Sequence, residues 1–229
     1  MIPSVAVDSV AWISETEMVE VDRIMIDDLG ITLLQMMENA GRNLARLVLD
    51  RFGPTAVWIA TGSGGNGGGG LVAARHLINA GVDVAVTTAR PVGDLSGAAA
   101  QQLGILQRMQ ARINGEPRDA DLAIDAVIGY SLRGAPSGRS ADLIDLVNGH
   151  KTVIALDTPS GLDVTTGDTP GSVVSADATL TLALPKSGLR SSGHVGELYL
   201  ADISVPRSVT ERFGSPAPDF RPGPVVRLV

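Results

Sequence analysis

The sequence predicts an α/β fold: a mostly parallel sheet with helices on both faces, preceded by two N-terminal helices. Three observations carry that expectation. From Ala56 onward, short apolar runs alternate with longer stretches of helical character: "AVWIA", then 70 to 80; "VDVAVTT", then 96 to 111; "LAIDAVIG", then 138 to 148; and then "TVIALD". This alternation marks repeated βαβ units, which assemble a parallel sheet. A glycine-rich segment, "TGSGGNGGGG" at 61 to 70, falls between the first such run and the helical pattern after it. Finally, 44% of residues are hydrophobic but only 3% aromatic, so the core is to be built from Ala, Val, Leu and Ile.

Taken in chain order, "SETEMVEVDRIMIDDLG" opens with Ser14 and Glu17 in capping-box spacing and ends at Gly30, a helix stop. Leu33, Leu34, Met37, Leu44, Leu47 and Val48 then recur at roughly helical intervals, which predicts a second helix ending by Gly53-Pro54. The βαβ units follow. "ATLTLAL" and "ELYLADI" read as two further strands, joined by the segment around Lys186 to Gly196. The tail from about 215, "SPAPDFRPGPVV", is proline-rich and reads as an extended arm. A chain of 229 residues of this kind is expected to form one domain.

Composition removes several function classes. The net charge is −7, with no long basic run, so nucleic acid is not an expected partner. There is no cysteine and only His76, His150 and His194 are available, which removes disulfides and thiolate chemistry and leaves a zinc site poorly supported. The first residues lack a basic start followed by a sustained apolar stretch, and no run approaches the length of a membrane span; a cytoplasmic protein with no membrane partner is the expectation.

The glycine run admits a linker, a phosphate cradle or the remnant of a more specific site. Its position between strand and helix disfavours the linker. Gly62, Gly64 and Gly67 fit G-x-G-x-x-G, with backbone N–H groups available to an anion at the helix start. A dinucleotide-binding unit would also want an acid near the end of the next strand, and "VDVAVTTARP" has none; Arg90 could instead face a 2′-phosphate, or simply lie in solvent. No Lys-Ser or Lys-Thr closes the run, so it is not a nucleoside-triphosphate loop.

Asp125 and Asp157 lie near the carboxyl ends of strands, where open parallel sheets place their ligand crevice; each is either a structural cap or a functional acid. With Asn66 and Ser160 of "DTPSGLD", Asp125 offers only hard oxygen donors, suited to an alkali or alkaline-earth cation. Lys186 is either a solvated lysine or, near Asp157, a group for proton transfer or phosphate.

"MMENAG" at 36 to 41, the glycine run leading into "GLVAARHL", Asp125 with "GYSLRG", "DTPSGLD" at 157 to 163 and "LALPKSGL" at 182 to 189 stand in one order and spacing. Together they resemble the NAD(P)H-hydrate epimerase, or YjeF N-terminal domain, family over residues 13 to 206. The resemblance implies a Rossmann-like three-layer α/β/α fold and an isomerase that interconverts the R and S epimers of hydrated NADH or NADPH. A companion dehydratase, a separate enzyme here, then restores the cofactor. It implies a potassium ion held by Asn66, Asp125 and Ser160. It implies substrate contacts from Gly65, Asn66, Gly67, Gly68 and Gly69, from Gly129, Tyr130, Ser131, Leu132, Arg133, Gly134 and Ala135, and from Asp157. Asp157 and Lys186 are the candidates for the proton work, and a homodimer is expected from the family and the amphipathic first helices.

Where the family reads G-P-G-N-N-G-G-D-G, this chain has "GSGGNGGGG", losing a side-chain amide at Gly65 and a carboxylate at Gly69. Tyr130 and Ser131 replace the usual Thr and Gly of the second loop. Two readings therefore stay open, an epimerase slowed by the missing carboxylate and a non-catalytic nucleotide- or metabolite-binding module of the same fold. A third, an NADP-dependent reductase, lacks hydride-transfer residues.

Overall fold

A computed structural model describes residues 2–115 and 120–229. Both N-terminal helices start where their caps dictate. In α1 (Glu15–Arg23) the Ser14 hydroxyl accepts from Glu17 N–H and the Glu17 carboxylate accepts from Ser14 N–H; α2 (Leu33–Arg51) repeats the device with Thr32 and Gln35. Between them a π-helical turn (Ile24–Asp28) runs to Gly30, whose φ of +69° reverses the chain.

The βαβ series then appears as β2 (Ala56–Thr61), α3 (Gly65–Asn79), β3 (Asp83–Thr88), α4 (Gly97–Arg108), the short β4 (Arg112–Ile113), β5 (Leu122–Ala126), α5 (Arg139–Asn148) and β6 (Val153–Leu156). β7 (Ala178–Leu182) and β8 (Glu197–Ala201) extend the sheet, with β1 (Ser4–Val5) and β9 (Val225–Leu228) at its far edge. Among the described residues the nine strands run in the order β1-β9-β8-β7-β6-β5-β2-β3-β4, every neighbouring pair parallel except β8 with β9. The mostly parallel α/β sheet predicted from the sequence is present.

Layering follows from the apolar faces. Leu44 and Leu47 of α2, Leu71 and Leu77 of α3 and Leu103 and Leu106 of α4 pack with Ile59, Val86 and Ile124 on one face of the sheet. Leu143, Ile144 and Val147 of α5 pack with Trp58, Val153 and Ala155 on the other. Both Trp58 groups find partners, the indole N–H donating to Thr87 Oγ1 at 2.9 Å and the ring stacking on His150.

Three expectations need correction. A strand, β1, precedes the two helices, because residues 4–5 pair in parallel with 227–228. The proline-rich tail is not only an arm: past its last proline, Val225–Leu228 turns apolar and adds an antiparallel strand to β8. And the glycine run is not a turn through residue 70. The turn is confined to 62–64, and α3 begins at Gly65.

The helix tolerates this glycine content because its neighbours demand it. A Cβ on Gly67 would sit 2.0 Å from the Gly62 carbonyl oxygen, one on Gly68 2.5 Å from the end of Met37, and one on Gly70 2.5 Å from Ala126 Cβ. From α2, a Cβ on Gly41 would meet Val72 Cβ at 2.4 Å and the Gly69 carbonyl at 2.6 Å. Helices α2 and α3 thus approach backbone to backbone, and close packing offsets the roughly 1 kcal/mol per residue that glycine costs a helix.

Candidate active site

From β2 the chain moves outward through β3 and β4, whereas from β5 it moves the opposite way through β6, β7 and β8. Open α/β sheets bind ligands at the crevice where the strand order reverses, which here lies between the carboxyl ends of β2 and β5. At that point Gly62 passes so close to β5 that a Cβ on it would be 2.0 Å from the Val127 carbonyl oxygen. A cavity of about 700 Å³ opens there, well within the range of small-molecule sites.

Its floor is charged. Asp157 follows β6 in a left-handed conformation, φ +66°, and Lys186 follows β7; both are buried, and Lys186 is fully so. Non-glycine residues seldom hold such an angle, and it turns the carboxylate toward the cavity. Lys186 Nζ donates to Asp157 Oδ1 and, at 2.9 Å, to the Leu182 carbonyl. The other carboxylate oxygen accepts from Tyr130 N–H at 3.2 Å. The lysine is fixed from behind by the segment just before α1, where Ile13 N–H donates to the Pro185 carbonyl and Ser187 N–H to the Ile13 carbonyl.

Asn66 reaches the same place. A Cβ on Gly129 would lie 3.1 Å from Asn66 Cβ and 3.4 Å from Asp157 Oδ2. Both polar atoms of the Asn66 amide are buried and have no hydrogen-bond partner. Behind the Val127–Gly129 turn, Asp125 is wholly buried and accepts from Ser160 Oγ at 2.6 Å, Ser160 N–H at 2.7 Å and Val127 N–H at 3.1 Å. Burial pushes its carboxyl up to about 6, against the pull of the Ser160 bonds. The turn links the two groups, since Ile128 N–H donates to Ser160 Oγ at 2.7 Å while Gly129 touches Asn66. Asn66 bonds to neither Asp125 nor Ser160, and among the described residues no cationic side chain pairs with Asp125. A buried carboxylate accepting from neutral donors only, joined through this turn to an unsatisfied amide, offers the kind of oxygen donors that a hard cation takes.

The predicted loops divide. Gly65, Asn66 and Gly69 line the cavity, as do Gly129, Tyr130 and Ser131. Gly67 and Gly68 are packed into Gly62 and Met37 instead. Leu132, Arg133, Gly134 and Ala135 run away from it, Arg133 pairing with Glu15 and Ala135 facing Gly171. Asp125 and Ser160 lie behind the wall.

Several lining residues were not foreseen. Asp22 of α1 accepts from the Tyr130 hydroxyl at 2.5 Å, and burial raises its carboxyl above the ordinary range. The same burial, with the Asp22 charge, raises the Tyr130 phenol. The signal was present: Met18, Asp22 and Met25 fall at i, i+4 and i+7, which places an acid on the apolar face of its helix. Ile26, Leu33, Met36, Met37 and Ala40 form an apolar wall; Ser137, Arg139 and Ser140 form the polar mouth together with Arg90, which the sequence did offer as a phosphate contact or a solvated side chain.

Comparison with known proteins bears on this arrangement. Residues 33–188 match the family model described as YjeF-related protein N-terminus. The chain belongs to that family. A relative from Dehalogenimonas lykanthroporepellens, named NAD(P)H-hydrate epimerase, is 47% identical over 85% of this chain and 82% of its own length. One of the same name from Truepera radiovictrix is 38% identical over 87% of this chain and 92% of its own. A bifunctional NAD(P)H-hydrate repair enzyme, Nnr, from Moorella thermoacetica is 35% identical over 86% of this chain, which spans only 41% of it. The crystal structure of yeast ynu0 superposes with a TM-score of 0.84, covering 95% of this chain and 99% of that one, at 21% identity. The shared fold of this YjeF-related member therefore extends well past its matched motifs.

Proposed function

We propose that this chain is an NAD(P)H-hydrate epimerase, acting in nicotinamide nucleotide repair together with a dehydratase activity. The observation that carries the reading is the buried Asp157–Lys186 pair at the floor of the switch-point cavity, in a chain 47% identical to a relative of that name. Inverting a hydroxyl-bearing ring carbon requires one bond to that carbon to break and to re-form from the opposite face, with a proton removed and returned and no net redox change. Asp157 takes and returns the proton. Lys186 holds that carboxylate in place and supplies positive charge beside it, and the apolar wall from α2 excludes water around the ring.

We further propose that Asn66, Asp125 and Ser160 hold a potassium ion. Bound there, it would supply the positive charge that Asp125 lacks and tie the start of α3 to the Val127–Gly129 turn. A raised carboxyl favours the folded state at low pH and disfavours it as pH rises through about 6, the opposite of an ion-paired acid. Potassium should therefore raise the melting temperature more at pH 8 than at pH 5, against choline chloride at equal ionic strength. In Asp125→Ala the potassium increment should vanish at both; an increment that survives there removes the site.

Turnover on mixed hydrate epimers, coupled to a dehydratase, tests the activity. A Cβ on Gly65 meets nothing within 4 Å, and one on Gly69 meets only the Leu156 Cδ2 methyl, at 2.8 Å, before the next contact at 3.9 Å. Both sites can thus take back the side chains of the family motif, with a small shift of Leu156. Gly65→Asn with Gly69→Asp should speed epimerisation by ~30- to 1,000-fold, the worth of one or two charge-assisted contacts. Turnover by neither form, with dinucleotide binding retained, would favour the binding-module reading.

A further inference from the structure

We propose that Arg90 and Arg139 form a phosphate-binding edge of this cavity, gripping a phosphate group of the substrate; the inference rests on the dinucleotide reading of the site. Both guanidinium-bearing residues line the cavity mouth, Arg90 two residues past β3 and Arg139 at the first position of α5.

The charge balance of the cavity singles them out. Its lysine is committed to Asp157, and Asp22 to the Tyr130 hydroxyl. Eleven arginines form ion pairs with carboxylates; among the described residues Arg90, Arg108, Arg139 and Arg212 do not, and of these four only Arg90 and Arg139 line the cavity. A protein of net charge −7 repels an anionic ligand at long range, so two unneutralised cations at the entrance set the local sign. Arginine is also suited to the task, since its planar fork bonds two phosphate oxygens at once.

Position agrees with charge. In dinucleotide-binding sheets the end of the strand after the glycine turn carries an acid for the ribose hydroxyls, or an arginine where a 2′-phosphate is present. Here that strand ends at Thr87 and Thr88 and leads into Ala89 and Arg90, with no acid. The Arg90 backbone is anchored rather than loose: Thr88 Oγ1 donates to its carbonyl at 2.6 Å, and Ala89 N–H donates to Thr61 at 2.8 Å, on the strand leading into the glycine turn. Ser137 and Ser140 add hydroxyl groups to the same mouth. Both arginines are exposed, and among the described residues neither bonds to another side chain, so each can be replaced with little loss of packing.

The phosphate could be the ribose 2′-phosphate of hydrated NADPH or the diphosphate that both hydrates share. Binding of hydrated NADPH and hydrated NADH to wild type, Arg90→Ala and Arg139→Ala, by calorimetry, separates them, with epimerisation rates measured in parallel. The expected result is a dissociation constant raised roughly 10- to 100-fold in each variant, with kcat changed less than about twofold. A loss confined to hydrated NADPH assigns the 2′-phosphate; an equal loss for both assigns the diphosphate; either supports the edge. Affinities within about twofold of wild type for both ligands overturn it. Wild type that binds but does not turn over refutes the epimerase reading alone, and wild type that binds neither hydrate refutes both.

Discussion

Asp157→Asn lowers the epimerisation rate by roughly 10²- to 10⁴-fold, the usual worth of a positioned proton-transfer group. Asparagine is the right probe because it keeps the shape and tolerates the left-handed backbone angle found at 157. It also strands a fully buried lysine, so stability should fall by about 3 to 5 kcal/mol. Rate and stability are separated by adding Lys186→Met. The double variant is neutral at the floor of the cavity, and most of the lost stability should return in a denaturant titration while the rate stays low. If the rate recovers along with the stability, the pair is a structural element and the proton work lies elsewhere, with Asp22 and Tyr130 the next groups along the same wall.

Gly67→Ala destabilises the fold by about 3 kcal/mol or more, although alanine is the better helix former. The added methyl would sit 2.0 Å from the Gly62 carbonyl oxygen and 2.5 Å from its carbon, both backbone atoms of the turn that leads out of β2. That turn cannot retreat, because Gly62 is itself pressed against the backbone of Val127, the residue just past β5. Gly65→Ala, two residues earlier in the same helix, meets open space and should be neutral or stabilising by about 0.5 to 1 kcal/mol. The contrast between the two midpoints in urea is the measurement. Equal effects would show that the glycines reflect only local backbone freedom.

Much of this molecule was legible in its sequence because the signals were local. Capping residues at Ser14 and Glu17, apolar runs and their alternation report on a few neighbouring residues at a time, and they placed the helices and central strands within a few positions. The edge strands were not legible. Ser4–Val5 and Val225–Leu228 are short, and what makes them strands is pairing between the two ends of the chain. The glycine run misled for the same reason: residue by residue it opposes a helix, and only the packing of α3 against β2, β5 and α2 reverses that preference. In the site, Asp157 and Lys186 could be paired by their positions at neighbouring strand ends. The bond from Tyr130 to Asp22 could not, since it joins a loop to a helix 108 residues away.

The close fit around α3 also governs how this sequence can drift. Each glycine answers to a different opponent, so a larger residue is admitted only as a particular distant side chain gives way: the end of Met37 for position 68 and, by a small shift, that of Leu156 for position 69. Position 70 faces an alanine, Ala126, which has little left to give, and position 67 faces backbone, which has nothing. Among descendants, then, 68 should vary jointly with 37 and 69 jointly with 156, while 67 stays frozen. The glycine-rich helix and the hydrophobic core would thereby exchange substitutions in pairs, and an acid regained at 69, which a shift of Leu156 already admits, would relax the demand for leucine at that place on β6.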